Sequence, residues 1–213
     1  MTQASAIAGA PEDMVETDAR PSGLGPVLTV FFAFACGALA ANLYYAQPLV
    51  ALIGADTGLS VAAESAIVTV AQIGYAIGLV LIVPLGDVVE NRRLILVTMA
   101  ANLVALAGLA LAPGLSALFA AMLFVGVSST AAQMLVPLAA NLAPPDERGA
   151  VVGNVMSGLL AGILLARPAA SFLADYVGWR GVFGLSGALV AVLMVAGLVL
   201  LLQRRPEGRR GYG

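Results

Sequence analysis

Residues 74–84 read GYAIGLVLIVP, and residues 158–168 read GLLAGILLARP. Gly74, Gly78 and Pro84 of the first stretch recur as Gly158, Gly162 and Pro168 of the second, each pair offset by 84 positions. A weaker echo links Gln47, Pro48 and Leu49 to Gln133, Pro137 and Leu138. Both stretches lie inside long apolar runs, so the shared G-x-x-x-G-x-x-x-x-x-P pattern falls on two membrane-type helices. Small residues four apart also let unrelated membrane helices approach closely, so the spacing is compatible with plain packing as well as with a repeat. As a repeat it predicts units of three helices. An odd number of crossings turns the second copy upside down relative to the first.

Composition supports the membrane setting. The chain has 213 residues, 61% of them hydrophobic and 10% charged, with a mean hydropathy of +0.99. Soluble domains average roughly 45–50% apolar and about 25% charged, so too little polar surface exists here to cover a water-facing globule. Apolar runs at 27–53, 64–85, 94–111, 115–142, 150–173 and 182–202 are each long enough to cross about 30 Å of hydrocarbon as a helix. The expected fold is an all-α membrane protein of six transmembrane helices, arranged as two inverted three-helix repeats. Residues 1–26 are expected to be a disordered cytosolic tail, 27–202 the bundle, and 203–213 an Arg-rich cytosolic tail.

The arginines predict the orientation. With the N-terminus inside, Arg20, Arg92, Arg93, Arg148, Arg204, Arg205, Arg209 and Arg210 lie in the cytosol, Arg180 lies outside and Arg167 sits within a span. Both termini are then cytoplasmic. The basic residues also narrow the chemistry, because all of them are arginine and the chain has no histidine. That removes the P-loop lysine, Ser-His and Ser-Lys dyads, Schiff-base lysines and His-ligated metals. The single thiol, Cys36, lies in an apolar run and is expected to pack there. No catalytic set, metal site, cofactor or nucleic-acid partner is expected, and the chain is not read as an enzyme.

Between the second and third apolar runs the sequence reads Pro84-Leu85-Gly86-Asp87-Val88-Val89-Glu90-Asn91-Arg92-Arg93-Leu94. This resembles the loop motif of the major facilitator superfamily, a Gly- and Asp-containing turn followed by basic residues. Further likeness lies in Asn42-Leu43-Tyr44-Tyr45-Ala46-Gln47-Pro48, in Pro144-Pro145-Asp146-Glu147-Arg148-Gly149, in Gly162-Ile163-Leu164-Leu165-Ala166-Arg167 and in Gly178-Trp179-Arg180. Together they look like the drug-efflux-like, YnfM-type branch of bacterial inner-membrane transporters. Val88 and Asn91 stand where such carriers usually have basic residues, and Met122 where span four commonly has an Arg. The resemblance implies alternating-access secondary transport of a small organic solute, in the efflux direction, in a bacterial inner membrane. Members have twelve spans in two halves, so this chain is expected to be the N-terminal half or a truncated form. Its expected partners are the lipid bilayer, a small-molecule substrate, and a second six-helix half or another copy of itself. A non-transporting scaffold or regulatory subunit that binds partner helices is the competing reading.

Polar side chains inside spans are the first pathway candidates, because a solute route needs groups that lipid-facing surface lacks. In the superfamily spans one and four face the pathway. The resemblance therefore points to Asn42, Tyr44, Tyr45 and Gln47, and to Ser128, Ser129, Thr130 and Gln133, with Gln72, Tyr75, Asn154 and Ser157 behind them. Each also has a structural reading: hydroxyls and amides bond to neighbouring helices, and the tyrosines anchor at the interface. Arg167 is open in the same way, either snorkelling or serving the pathway by attracting an anion or pairing with Glu64 or Asp56. Gly86, Asp87, Arg92 and Arg93 are the expected gating residues, with Asp175, Gly178 and Arg180 forming a similar loop at the opposite face. No Asp or Glu falls near the middle of any span, so no proton-coupling site is predicted.

Overall fold

The computed structural model describes residues 25–202, and all its regular elements there are helical. The tails expected at 1–26 and 203–213 lie outside the described residues, except for Gly25 and Pro26. Helix α1 spans Pro26–Tyr44 and α2 Ala46–Thr57, and together they make span 1. Pro26 at the first helical position loses no bond, since that N–H would have no intrahelical partner. The ladder lapses at Tyr45 because Pro48 has no N–H to offer the Tyr44 carbonyl and its ring crowds that oxygen. Span 2 is α3, Val61–Leu81, started by Ser60, whose hydroxyl accepts from the Ala63 N–H at 3.4 Å. It ends before Pro84 in a tight turn, Val83–Asp87. Span 3 is α4, Asn91–Ala110.

Span 4 comprises α5, Leu115–Ser129, and α6, Ala131–Leu142. Its interruption at Thr130 has a local cause. The Ser128 hydroxyl donates back to the Phe124 carbonyl at 2.6 Å, that of Ser129 to Val125 at 2.7 Å, and that of Thr130 to Val127 at 2.7 Å. Such back-bonding competes with the helix ladder and bends it.

Spans 5 and 6 correct the sequence reading. A loop is expected between 173 and 182, yet helix runs from Arg148 to Leu202 with one non-helical residue, Gly178, at φ 67° and ψ 171°. That backbone region is open almost only to glycine. Asp175 and Arg180 therefore flank a one-residue corner, and α7 (148–177) and α8 (179–202) are spans 5 and 6.

The glycine repeat becomes a pair of helix crossings. A side chain at Gly158 would strike the Ala33 carbonyl, and one at Gly162 the Gly37 carbonyl, so span 5 lies directly on the backbone of span 1. In the same way Gly74 and Gly78 of span 2 lie on the carbonyls of Leu123 and Val127 in span 4. The glycines differ by 84 positions, and the residues they meet, 33 with 123 and 37 with 127, differ by 90. One crossing thus occurs twice, once in each pairing of a first-copy with a second-copy helix. Close backbone approach matters more here than in water, because lipid gives apolar helices no hydrophobic drive to associate. Phe32, Leu39, Leu106, Leu118 and Phe183 fill the space between the spans.

Cys36 sits in that packed interior, fully buried, with its thiol donating to the Ala132 carbonyl at 3.2 Å. A thiol so enclosed is inert. Maleimide should leave the folded protein unmodified and react completely after denaturation in SDS, a difference read by mass shift.

Candidate functional site

A buried polar junction joins four spans. The Asn42 amide donates to Asn102 Oδ1 at 2.9 Å, and the Asn102 amide donates to Ser128 Oγ at 3.0 Å and reaches Ser129 Oγ at 3.5 Å. Ser186 closes the chain by donating its hydroxyl to Asn42 Oδ1. These residues belong to spans 1, 3, 4 and 6, and none is more than 5% exposed. Their arrangement repeats the internal symmetry: Asn102 and Ser186 are 84 positions apart, the offset of the glycines, while Asn42 on span 1 is answered by Ser128 and Ser129 on span 4. The junction lies where the two copies meet.

Three of the residues singled out from sequence, Asn42, Ser128 and Ser129, are therefore engaged inside the bundle. Asn102 and Ser186 are not among those singled out, although the 84-position offset pairs them.

A groove of about 700 Å³ runs along one face between spans 1 and 5. Val30, Ala33, Phe34 and Ala38 line it from span 1, and Ala161, Leu165 and Ala169 from span 5. Among the described residues its only polar side chains are Thr29, Tyr45 and Asn154, and no charged one lines it. Thr29 returns its hydroxyl to the Gly25 carbonyl at 3.5 Å, which leaves the Tyr45 phenol and the Asn154 amide for a guest. With Gly37 level with Gly158 and Gly162, the helical rise puts Tyr45 and Asn154 roughly 20 Å apart along the groove. The groove is apolar in its middle and polar near its two ends.

The remaining candidates lie elsewhere. Gln133 donates to the Tyr75 hydroxyl at 2.8 Å and ties span 4 to span 2, while Gln72 and Gln47 are half-buried. None of these four lines the groove. Arg167 is exposed and makes no hydrogen bond or ion pair among the described residues. It stands nine residues, two and a half turns, beyond Gly158, on the far side of span 5 from the groove. Neither pairing open to it forms. Asp56 is taken by Trp179 Nε1 at 3.2 Å and Arg180 Nη2 at 3.5 Å, and the Glu64 carboxylate lies against Gly54.

Of the expected gating residues, Gly86 is half-buried in the turn Val83–Asp87, and the Asp87 side chain lies outside the described residues. Arg92 is half-buried, with Nη2 enclosed and without a partner among the described residues, as is the neighbouring Asn91 Oδ1, whereas Arg93 is exposed. Arg180, at the opposite end, is well served. Its Nη1 donates to the carbonyls of Ala110 at 3.3 Å and Ala112 at 2.9 Å, and the guanidinium stacks 4.3 Å from the Trp179 ring centre.

Two inverted three-helix copies with a buried polar junction where they meet and a largely apolar groove along one face define a multi-pass helical membrane protein. The sequence profile of the Major Facilitator Superfamily matches residues 29–212, and the chain belongs to that superfamily. It is 45% identical over 192 residues to a putative uncharacterized transporter, YgaY, of Escherichia coli K12, covering 89% of this chain and 48% of that protein. It is 36% identical over 216 residues to a probable transporter, SCO4007, of Streptomyces coelicolor, covering 97% and 49%. A D-xylose transporter of Levilactobacillus brevis is 32% identical over 136 residues, 63% of this chain and 30% of that protein. The chain thus spans about half the length of the first two relatives.

Proposed function

We propose that this chain is the N-terminal six-helix half of a major-facilitator secondary carrier, and that the groove between spans 1 and 5 is one wall of its solute pathway. A second six-helix unit would cover the groove, as the relatives' doubled length suggests. The observation that carries the reading is the lining: an open face about 20 Å long with two free polar groups, on the span that the superfamily uses for its pathway. A wall without charge and nearly without hydrogen-bond partners suits an uncharged organic solute with an apolar face. It suits a sugar poorly, since hydroxyls held against it would lose their water without replacement. The arginine bias supports a cytosolic Arg92 end and an external Asp56 end, and the family resemblance supports a bacterial inner membrane. Export is the direction suggested by likeness to the drug-efflux-like branch. The role is that of a carrier, not an enzyme.

The test is saturable binding of an uncharged amphiphile, N-phenyl-1-naphthylamine, to the chain in lipid nanodiscs, followed by its fluorescence. Ala161→Trp fills the groove from span 5 and should weaken binding about tenfold or more, a loss of roughly 1.4 kcal/mol. Xylose should not compete. Equal affinity in the filled variant rejects the groove as the solute wall.

A further inference from the structure

The segment α2, the Asp56-end part of span 1, is held differently from the rest of that helix. It joins α1 at Tyr45, where Pro48 has removed a ladder bond, and Tyr45 itself lines the groove. Asp56, on the last turn of α2, meets two neighbours that do not belong to span 1: Trp179 Nε1 at 3.2 Å and Arg180 Nη2 at 3.5 Å.

Those neighbours are fixed. Trp179 is 5% exposed and packs edge-on against Phe183 at 6.4 Å between ring centres. Arg180 is clamped by the two carbonyls that end span 3 and lies over the Trp179 ring. Both residues follow directly on the Gly178 corner, at the start of span 6. Asp56 is the loose partner. Its side chain is 51% exposed and that of Arg180 41%, so water competes for the pair and separating it costs little.

We propose that Asp56 is a releasable latch on the outer segment of span 1, with Trp179 and Arg180 as its fixed catch. Latched, α2 lies against the corner between spans 5 and 6. Released, it pivots at Tyr45 and alters access to that end of the groove. Asp56 and Arg180 are then positioning residues for the moving segment and touch no solute. The inference rests on the groove being the solute wall, but its test measures movement of α2 and not binding or flux, so either can fail without the other.

The measurement is the rate at which a water-soluble maleimide labels a cysteine placed at Gln47 (Gln47→Cys) in the full chain in nanodiscs. Buried Cys36 serves as a silent background. A second cysteine, at fully buried Ala139 (Ala139→Cys), reports loosening of the bundle as a whole. Asp56→Ala and Arg180→Ala should each raise labelling at position 47 about fivefold, and combining them should add nothing, because both break one contact. Labelling at 139 should stay unchanged, and Arg180→Lys should restore slow labelling at 47. Arg180→Ala also uncaps span 3, whereas Asp56→Ala leaves those carbonyls bonded, so the aspartate variant carries the result if the arginine variant does not fold. Unchanged rates at 47, additive increases, or a parallel increase at 139 overturn the latch.

Discussion

Gly162→Leu abolishes the folded bundle. A side chain at this position meets the carbonyl oxygen, the carbonyl carbon and the Cα of Gly37, all of them backbone, so no rotamer change can make room. Span 5 would have to lift off span 1 along a crossing that also includes Gly158 on Ala33. Overpacking a core ordinarily costs about 1–3 kcal/mol through shifted side chains, and here the adjustment falls on two helix backbones, so the loss should exceed that range. The variant should elute as aggregate in detergent, where the parent gives a monodisperse peak. Gly153 supplies the control: it lies on the same helix, an added Cβ there meets nothing within 4 Å, and Gly153→Ala should stabilise by roughly 0.5–1 kcal/mol through helix propensity. The repeat adds a second arm. Gly78 is the counterpart of Gly162 and lies on the Val127 carbonyl, so Gly78→Leu should do comparable damage at the other crossing. Mild effects at both positions would mean that the glycines do not set the approach of the spans.

The crossings were the most legible part of the fold because glycine leaves a mark that survives divergence. Gly74, Gly78, Gly158 and Gly162 each face backbone, where no larger residue fits, so their offset can be read directly from the chain. The azimuth of each helix was not legible. In water an apolar stripe marks the inward face, but in a bilayer the outward face is apolar too: Phe34 and Leu164 are exposed while Phe32 and Leu159 are buried, and nothing in their chemistry separates them. For that reason Asn42, Tyr45, Gln133 and Arg167, all polar and all within spans, could not be sorted by sequence into junction, groove, inter-helix tie and far side. The Gly178 corner was hidden for a different reason. Asp175 and Arg180 look like loop residues, and that a single glycine could replace the loop depends on the backbone region it occupies. Asn102 and Ser186 were obscured by their different side chains, although both bring a hydrogen-bonding group to equivalent places.

Asn102→Leu should be the most damaging near-isosteric change at the polar junction, and the way its cost combines with that of Asn42→Leu tests whether the junction acts as a unit. Asn102 accepts from the Asn42 amide and donates to Ser128, and both partners are enclosed, Asn42 at 1% exposure and Ser128 at 2%. Ser128 still has the Phe124 carbonyl for its proton, but the Asn42 amide nitrogen has no other acceptor among the described residues. Leaving a buried polar group unsatisfied costs about 1–3 kcal/mol, whereas hydrogen bonds between membrane helices average only about 0.6 kcal/mol when the unfolded state can find other partners. The burial of Asn42 favours the larger figure, and a loss of about 2 kcal/mol is expected, measured by unfolding in graded SDS with circular dichroism. Asn42→Leu should cost less: Asn102 loses a donor to its Oδ1 but keeps both donor bonds to the serines of span 4, and the Ser186 hydroxyl can turn back to a carbonyl of its own helix. The double variant strands no amide, so it should be no less stable than Asn102→Leu alone, a coupling of roughly 1 kcal/mol or more. Simple addition of the two losses would show that the asparagines act independently and that the junction is not one unit.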